Sequence, residues 1–229
     1  MYQRVLIKIS GEALSSEKTP LCAETIERTA GLLKRLSDTG VEIGVVVGGG
    51  NILRGRSSGN MERNRADHMG MLATVINALA LQDALERMNA SCAVLSAVDM
   101  GRFCEPYSSR DANKRLSAGE IVIFAAGSGS PFFSTDTAAA LRAAEIHADV
   151  LLLAKNVDAV YSADPKLDKN AVRYSHLTYD DVIVKNLKAT DLTAITLCRE
   201  QKIPIHVFAL NELANVFTSE SSGTVITES

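Results

Sequence analysis

Short apolar runs rich in β-branched residues alternate along this chain with longer stretches of helical spacing. The runs at 4–9, 41–47, 93–97, 121–125, 150–153, 205–208 and 224–226 predict strands. Between them, 23–39, 67–89, 135–147, 192–202 and 212–217 predict helices. That alternation argues a mainly parallel sheet with helices on both faces, an α/β class fold built as a three-layer α/β/α sandwich. Val45-Val46-Val47 and Leu151-Leu152-Leu153 show no in/out alternation, as expected of strands covered on both sides. Residues 69–82 contain no charge and are apolar almost all round. One face of such a helix packs on its own sheet, and the other is left as an apolar patch suited to a two-fold contact with a second copy. A modest break near Gly119 or Gly127 divides one domain, 1–229, into an N-terminal lobe of about 1–125 and a C-terminal lobe of about 126–229.

The overall balance narrows the function classes. The 229 residues carry a formal net charge of −3, which argues against dedicated nucleic-acid binding. The first apolar run, Val5-Leu6-Ile7, is broken by Lys8 and is too short for a leader or a membrane span. Four cysteines (Cys22, Cys92, Cys104, Cys198) lie far apart without a Cys-x-x-Cys, which predicts reduced thiols in a cytoplasmic protein and no zinc. The four histidines show no ligand spacing, and no protein-ligated metal site is expected.

Candidate chemistry gathers where predicted strands end. In sheets of this class ligands sit at the carboxyl ends of strands. Lys8 ends the first strand and precedes Ser10-Gly11, where it can neutralise a transferring phosphoryl group or simply be a solvated lysine. Gly48-Gly49-Gly50 follows Val45-Val46-Val47; such a turn lets backbone N–H groups reach a phosphate, or is merely a tight turn. It matches neither the Walker A spacing nor Gly-x-Gly-x-x-Gly. Arg54, Arg56, Arg63 and Arg65 surround a polar stretch; Arg54, nearest the glycines, is the best phosphate ligand, whereas Arg56 and Arg63 read as solvated loop. Asp67 stands at a predicted helix start, as an N-cap or as a carboxylate for sugar hydroxyls. The turn 127–136 offers amides and hydroxyls to a phosphate, with Thr135 as the expected cap and at least one of Phe132 and Phe133 expected in the core. Asp158 and Asp164 flank Tyr161, either as an Asx-type turn or as a nucleoside pocket, and Asp191 opens the 192–202 helix.

The order and spacing of these segments resemble the bacterial-type UMP kinases of the amino-acid-kinase superfamily, over 4–227. The carrying segments are 8–14, 48–55, Asp67-His68-Met69-Gly70 with 71–74, the 127–136 turn, 157–165 and Asp191-Leu192-Thr193-Ala194. The resemblance implies transfer of the ATP γ-phosphoryl group to UMP, giving UDP and ADP, with Mg²⁺ carried mainly on the nucleotide phosphates. It implies that Lys8 and Arg54 stabilise the moving phosphoryl group while Asp136 and Asp191 organise the site. It assigns ATP to Lys8, Ile9, Ser10, Gly11, Gly50 and Arg54, with Lys155, Tyr161 and Asp164 at the adenosine. UMP is assigned to Gly49, Asp67, Ser128, Gly129, Ser130, Pro131, Phe132, Phe133, Ser134 and Thr135. A hexamer built as a trimer of dimers is also implied. The chain departs from the common pattern at Ser130, where Asn is usual, at Thr190, where Met is usual, and at Ala159, where Gly is usual and a positive φ would be strained. It also lacks the Gly-Phe-Gly-like stretch in 15–21 that accompanies GTP activation in many relatives. Two other readings are an acyl-phosphate-forming kinase of the same superfamily and a nucleotide sensor without turnover.

Overall fold

Strand β1 (Arg4–Ile9) lies near the middle of a nine-stranded sheet, flanked by β2 (Glu42–Val47) and β6 (Val150–Lys155). Beyond β2 come β5 (Ile121–Ala125), β3 (Cys92–Ser96) and the short β4 (Glu105–Pro106). Beyond β6 come β10 (Ile205–Ala209), β11 (Thr224–Thr227) and β9 (His176–Thr178). Every pairing is parallel except β10 with β11. A two-stranded ribbon, β7 (Val160–Tyr161) with β8 (Arg173–Tyr174), stands apart. The computed structural model describes residues 2–53, 61–165, 167–213, 215–216 and 223–228.

Alternation along the strands sorts side chains into two cores. Val5, Ile7 and Ile9 of β1 pack with Ile26, Ala30 and Leu33 of α1 (Ala23–Ser37) and with Ala78, Leu81 and Leu85 of α2 (Arg63–Arg87). Leu6 of β1, with Leu151 and Leu153 of β6, points to the other face. There it meets α3 (Ser109–Ser117), α4 (Thr135–Glu145), α5 (Tyr179–Val184) and α6 (Leu192–Gln201). The sheet is thus covered on both sides, and its continuous apolar strands follow from that.

Four elements differ from the sequence expectation. α2 begins at Arg63, not 67, because Glu62 caps it by accepting from the Asn64 and Arg65 amides. Asp67 is therefore one turn inside the helix and is not its N-cap. In place of a helix at 212–217, the described residues form a 3₁₀ turn at Leu210–Glu212; residues 214 and 217 lie outside the described set. α3 was not predicted because it is almost wholly polar and buries only Ala112 and Leu116. α5, six residues held by a Thr178–Asp181 capping box, is too short to show a period.

α2 buries Ala78, Leu81, Ala84 and Leu85 against the sheet. Its outer face presents Met69, Leu72 and Ile76, which are 41%, 51% and 45% exposed. Val75, one residue earlier, is buried.

Candidate active site

Parity along β1 sends Lys8 to the same face as Leu6, beneath α4, where it is 8% exposed. Asp136 stands in the first turn of α4, and Lys8 Nζ lies 2.8 Å from its Oδ1. Lys155 closes β6 with the parity of Leu151 and Leu153, and its Nζ lies 3.3 Å from Asp136 Oδ2. Thr190 donates its hydroxyl to the same Oδ2 at 2.8 Å. Burial alone would raise the Asp136 carboxyl, but Lys8 and Lys155 outweigh it and hold it far below the usual carboxylate range. The result is a fixed anion between two ammonium groups at the strand ends. Asp191 follows Thr190 at the N-cap position of α6, but its carboxylate makes no capping hydrogen bond.

The glycine turn is anchored on both sides. Gly48 N–H donates to Ile9 O at 2.9 Å, and the buried Asn77 of α2 donates to Gly48 O at 2.7 Å. Asn77 also exchanges amide hydrogen bonds with Asn51. A Cβ on Gly49 would stand 2.8 Å from Gly70 O and 2.9 Å from the Ala73 Cβ. Glycine is needed there so that the turn can lie directly on α2. Arg54, with the rest of 54–60 and so Arg56, lies outside the described residues.

Between this turn, α2 and the 127–135 segment is a cavity of about 180 Å³. Its lining includes Gly49, Gly50, Asp67, Thr74, Ser128, Ser130, Phe133, Ser134 and Thr135. The chain from 126 to 135 turns sharply: Gly127 and Gly129 take positive φ freely, while Ala126 and Phe132, at φ 60° and 71°, are strained. Two side chains from α2 hold it. Asp67 Oδ2 accepts the Phe132 N–H at 2.8 Å, and Thr74 Oγ1 accepts the Ala126 N–H at 2.9 Å. Arg63 reaches back to Asp67 at 2.7 Å and lies over the Phe132 ring. Arg63 is thus helical and engaged, not solvated loop. Phe132 and Phe133 are 60% and 55% exposed, so neither belongs to the core. Ser134, not Thr135, caps α4, accepting the Thr137 N–H. The Ser128 hydroxyl is turned to the Ser130 backbone.

On the β6–β10 side of Lys8 is a larger cavity, about 640 Å³. Lys155, Val160, Tyr161, Asp164, Leu187, Ala189 and Val207 are among its walls. Tyr161 is pinned by its hydroxyl, which donates to Asp158 at 2.9 Å. Ala159 is buried and does not adopt a positive φ, so the expected strain is absent. The two cavities share no lining residue; Lys155 of the cluster lines the larger one, and Thr135, the residue before Asp136, lines the smaller. Ser10 lines a third cavity of about 600 Å³ together with Lys155 and Arg28. Among the described residues, no three His, Cys, Asp or Glu side chains converge as a metal cage. Asp136 faces two ammonium groups and the Thr190 hydroxyl, an arrangement that suits an organising carboxylate better than a metal ligand.

The sequence profile described as the amino acid kinase family matches residues 3–209. The chain belongs to the amino acid kinase family. It is 50% identical over 233 aligned positions to a protein of Pseudomonas syringae pv. syringae named uridylate kinase, covering 99% of this chain and 95% of that one. A uridylate kinase of Pseudomonas syringae pv. tomato is equally similar, with 99% and 94% covered. Among solved structures, the UMP kinase of Bacillus anthracis superposes with a TM-score of 0.95 at 36% identity, covering 99% of this chain and 96% of that one. The uridylate kinase of Archaeoglobus fulgidus gives 0.75 at 29% identity, over 97% and 99%.

Sequence reasoning placed Lys155 at the adenosine; the structure also turns its ammonium group to Asp136. Its position at the end of a strand, like that of Lys8, was the available signal. Thr74, Asn77 and Arg63 carried no such signal, since each sits within a helix and acts on a distant segment.

Proposed function

We propose that this family member transfers the γ-phosphoryl group of ATP to UMP, giving ADP and UDP, a step that supplies pyrimidine nucleotides. The observation that carries this reading is the Lys8–Asp136–Lys155 cluster between two separate cavities, in a chain half identical to uridylate kinases. UMP occupies the smaller cavity, its phosphate facing Gly49, Gly50 and the 127–135 amides, its sugar facing Asp67 and its base facing Phe133. ATP occupies the larger one, adenosine against Tyr161 and Asp164, its phosphates running toward Lys155, Ser10, Gly11 and Lys8.

A phosphate oxygen of UMP attacks the γ-phosphorus in line. The bond from that phosphorus to the β–γ bridging oxygen breaks, and ADP leaves with the electron pair. Lys8 neutralises charge on the moving group, and Asp136 holds Lys8 in place. Mg²⁺ bound with ATP supplies further charge neutralisation at the phosphates, and Asp191 is the carboxylate that would hold it. Arg54 completes the phosphate contacts. The donor half of the molecule is the C-terminal lobe, 126–229; the N-terminal lobe, 1–125, carries most of the acceptor side.

We also propose that the protein acts in the cytoplasm as an oligomer, a hexamer built from dimers that pair the Met69–Leu72–Ile76 faces of α2. A coupled ADP-release assay with UMP, CMP, carbamate and acetylglutamate tests the reaction. ADP release that depends on UMP is expected. Release with carbamate or acetylglutamate would favour an acyl-phosphate kinase, and release with none of them a sensor.

A further inference from the structure

We propose that Thr190 is a positioning residue of the phosphoryl-transfer cluster: its hydroxyl secures Asp136 so that Lys155 can move onto the nucleotide phosphates. The inference rests on the reaction proposed above. Asp136 divides its two oxygens unequally. Oδ1 faces Lys8 alone, at 2.8 Å, whereas Oδ2 is shared by Thr190 at 2.8 Å and Lys155 at 3.3 Å. The neutral donor thus makes the shorter contact and the ammonium group the longer one. Lys155 is also the more exposed of the two lysines, with 23% of its side chain accessible against 10% for Lys8, and it forms part of the wall of the larger cavity.

A lysine so placed has two partners to choose from once phosphates arrive. Leaving Asp136 is costly if it strips a buried carboxylate of its partner, since an unsatisfied buried charge is strongly unfavourable. The Asp136 side chain is only 13% exposed. Thr190 removes that cost at Oδ2, because its hydrogen bond remains when Lys155 turns away. It also fixes the rotation of the carboxylate, keeping Oδ1 aimed at Lys8. The hydroxyl is held on a rigid support: Thr190 precedes the first turn of α6, whose Ala194, Ile195 and Cys198 share a buried core with Ala139, Ala140 and Ala143 of α4. The helix that carries the acceptor and the helix that follows the donor are therefore packed directly together.

The test is steady-state kinetics on Thr190→Val, Thr190→Ala and Thr190→Ser in the full chain, with ATP and UMP varied separately. Val and Ala remove the hydroxyl, one keeping the shape and the other not. Both should lower kcat about tenfold, with KM for UMP within about twofold, the signature of an interaction felt mainly in the transition state. Thr190→Ser keeps the donor and should restore kcat to within about threefold of the unmodified protein. A merely structural role predicts instead that loss of activity follows loss of melting temperature in all three variants. Turnover of Thr190→Val near that of the unmodified protein, or Thr190→Ser as impaired as Thr190→Val, overturns this proposal and leaves the reaction intact. No UDP formation by the unmodified protein overturns the reaction and this proposal together.

Discussion

Lys8 owes its place to parity along β1. Its neighbours Ile7 and Ile9 enter the core under α1 and α2, so Lys8 must enter the opposite face, where the first turn of α4 presents Asp136. Lys155 and Thr190 lie 19 and 54 residues from Asp136, so Lys8, Asp136 and Lys155 could be named as site residues from the sequence and its resemblance, but not their meeting in one cluster. On the proposed mechanism, in which Lys8 acts mainly on the moving phosphoryl group, Lys8→Ala should lower kcat by about 10²–10³ with little change in UMP affinity. Kinetics and calorimetric titration of UMP check this together; near-normal turnover would remove Lys8 from the mechanism. The same substitution has a pH signature. Asp136 is held below its ordinary value, so its contribution to stability is complete above the unfolded carboxylate pKa and is lost as pH falls through the folded one. Removing Lys8 raises the folded pKa toward normal. The stability difference between the two proteins, followed by melting, should therefore be full at neutral pH and shrink on acidification below about pH 4.

At the scale of elements, α2 links the smaller cavity to the outer surface. On one side Asp67 clamps Phe132, whose positive φ is unfavourable for a bulky residue and persists only while something holds it. Asp67→Asn weakens that clamp and the pairing to Arg63. It should raise KM for UMP well beyond any change in KM for ATP, with a small change in melting temperature because Asp67 is not the helix cap. Equal effects on both substrates would argue against an acceptor-side role. On the outer side, Ile76→Glu should lower the mass measured by light scattering, since Ile76 is 45% exposed on the apolar stripe. Val75→Glu should instead destabilise the subunit, because Val75 is buried. A monomeric unmodified protein at micromolar concentration would sink the pairing. The long strands and α1, α2, α4 and α6 were legible from apolar runs and helical spacing. The short β4, β7, β8 and β9 and the polar α3 were not, because two or three residues carry no period and α3 is held by tertiary packing of Ala112 and Leu116.

At the scale of the molecule, the sheet divides at β1: strands from residues up to Ala125 lie on one side and strands from Val150 onward on the other. The small cavity is built from the glycine turn, α2 and the 127–135 turn, and the larger one from β6, β7 and the segment before α6. Because their walls have no residue in common, changes in one should be felt in the other only through Lys8, Asp136 and Lys155. Tyr161→Ala, which removes a wall of the larger cavity, should raise KM for ATP, as Asp67→Asn raises KM for UMP. In the double variant the two losses in kcat/KM, expressed as free energies, should add to within about 0.5 kcal/mol, as for residues without shared partners. A coupling above about 1 kcal/mol would mean that the substrates, or the two cavities, communicate by a route other than the charged cluster. Repeating the cycle with Lys155→Ala in place of Tyr161→Ala supplies the contrast. Lys155 touches both the larger cavity and Asp136, so its combination with Asp67→Asn should depart from additivity where Tyr161 does not.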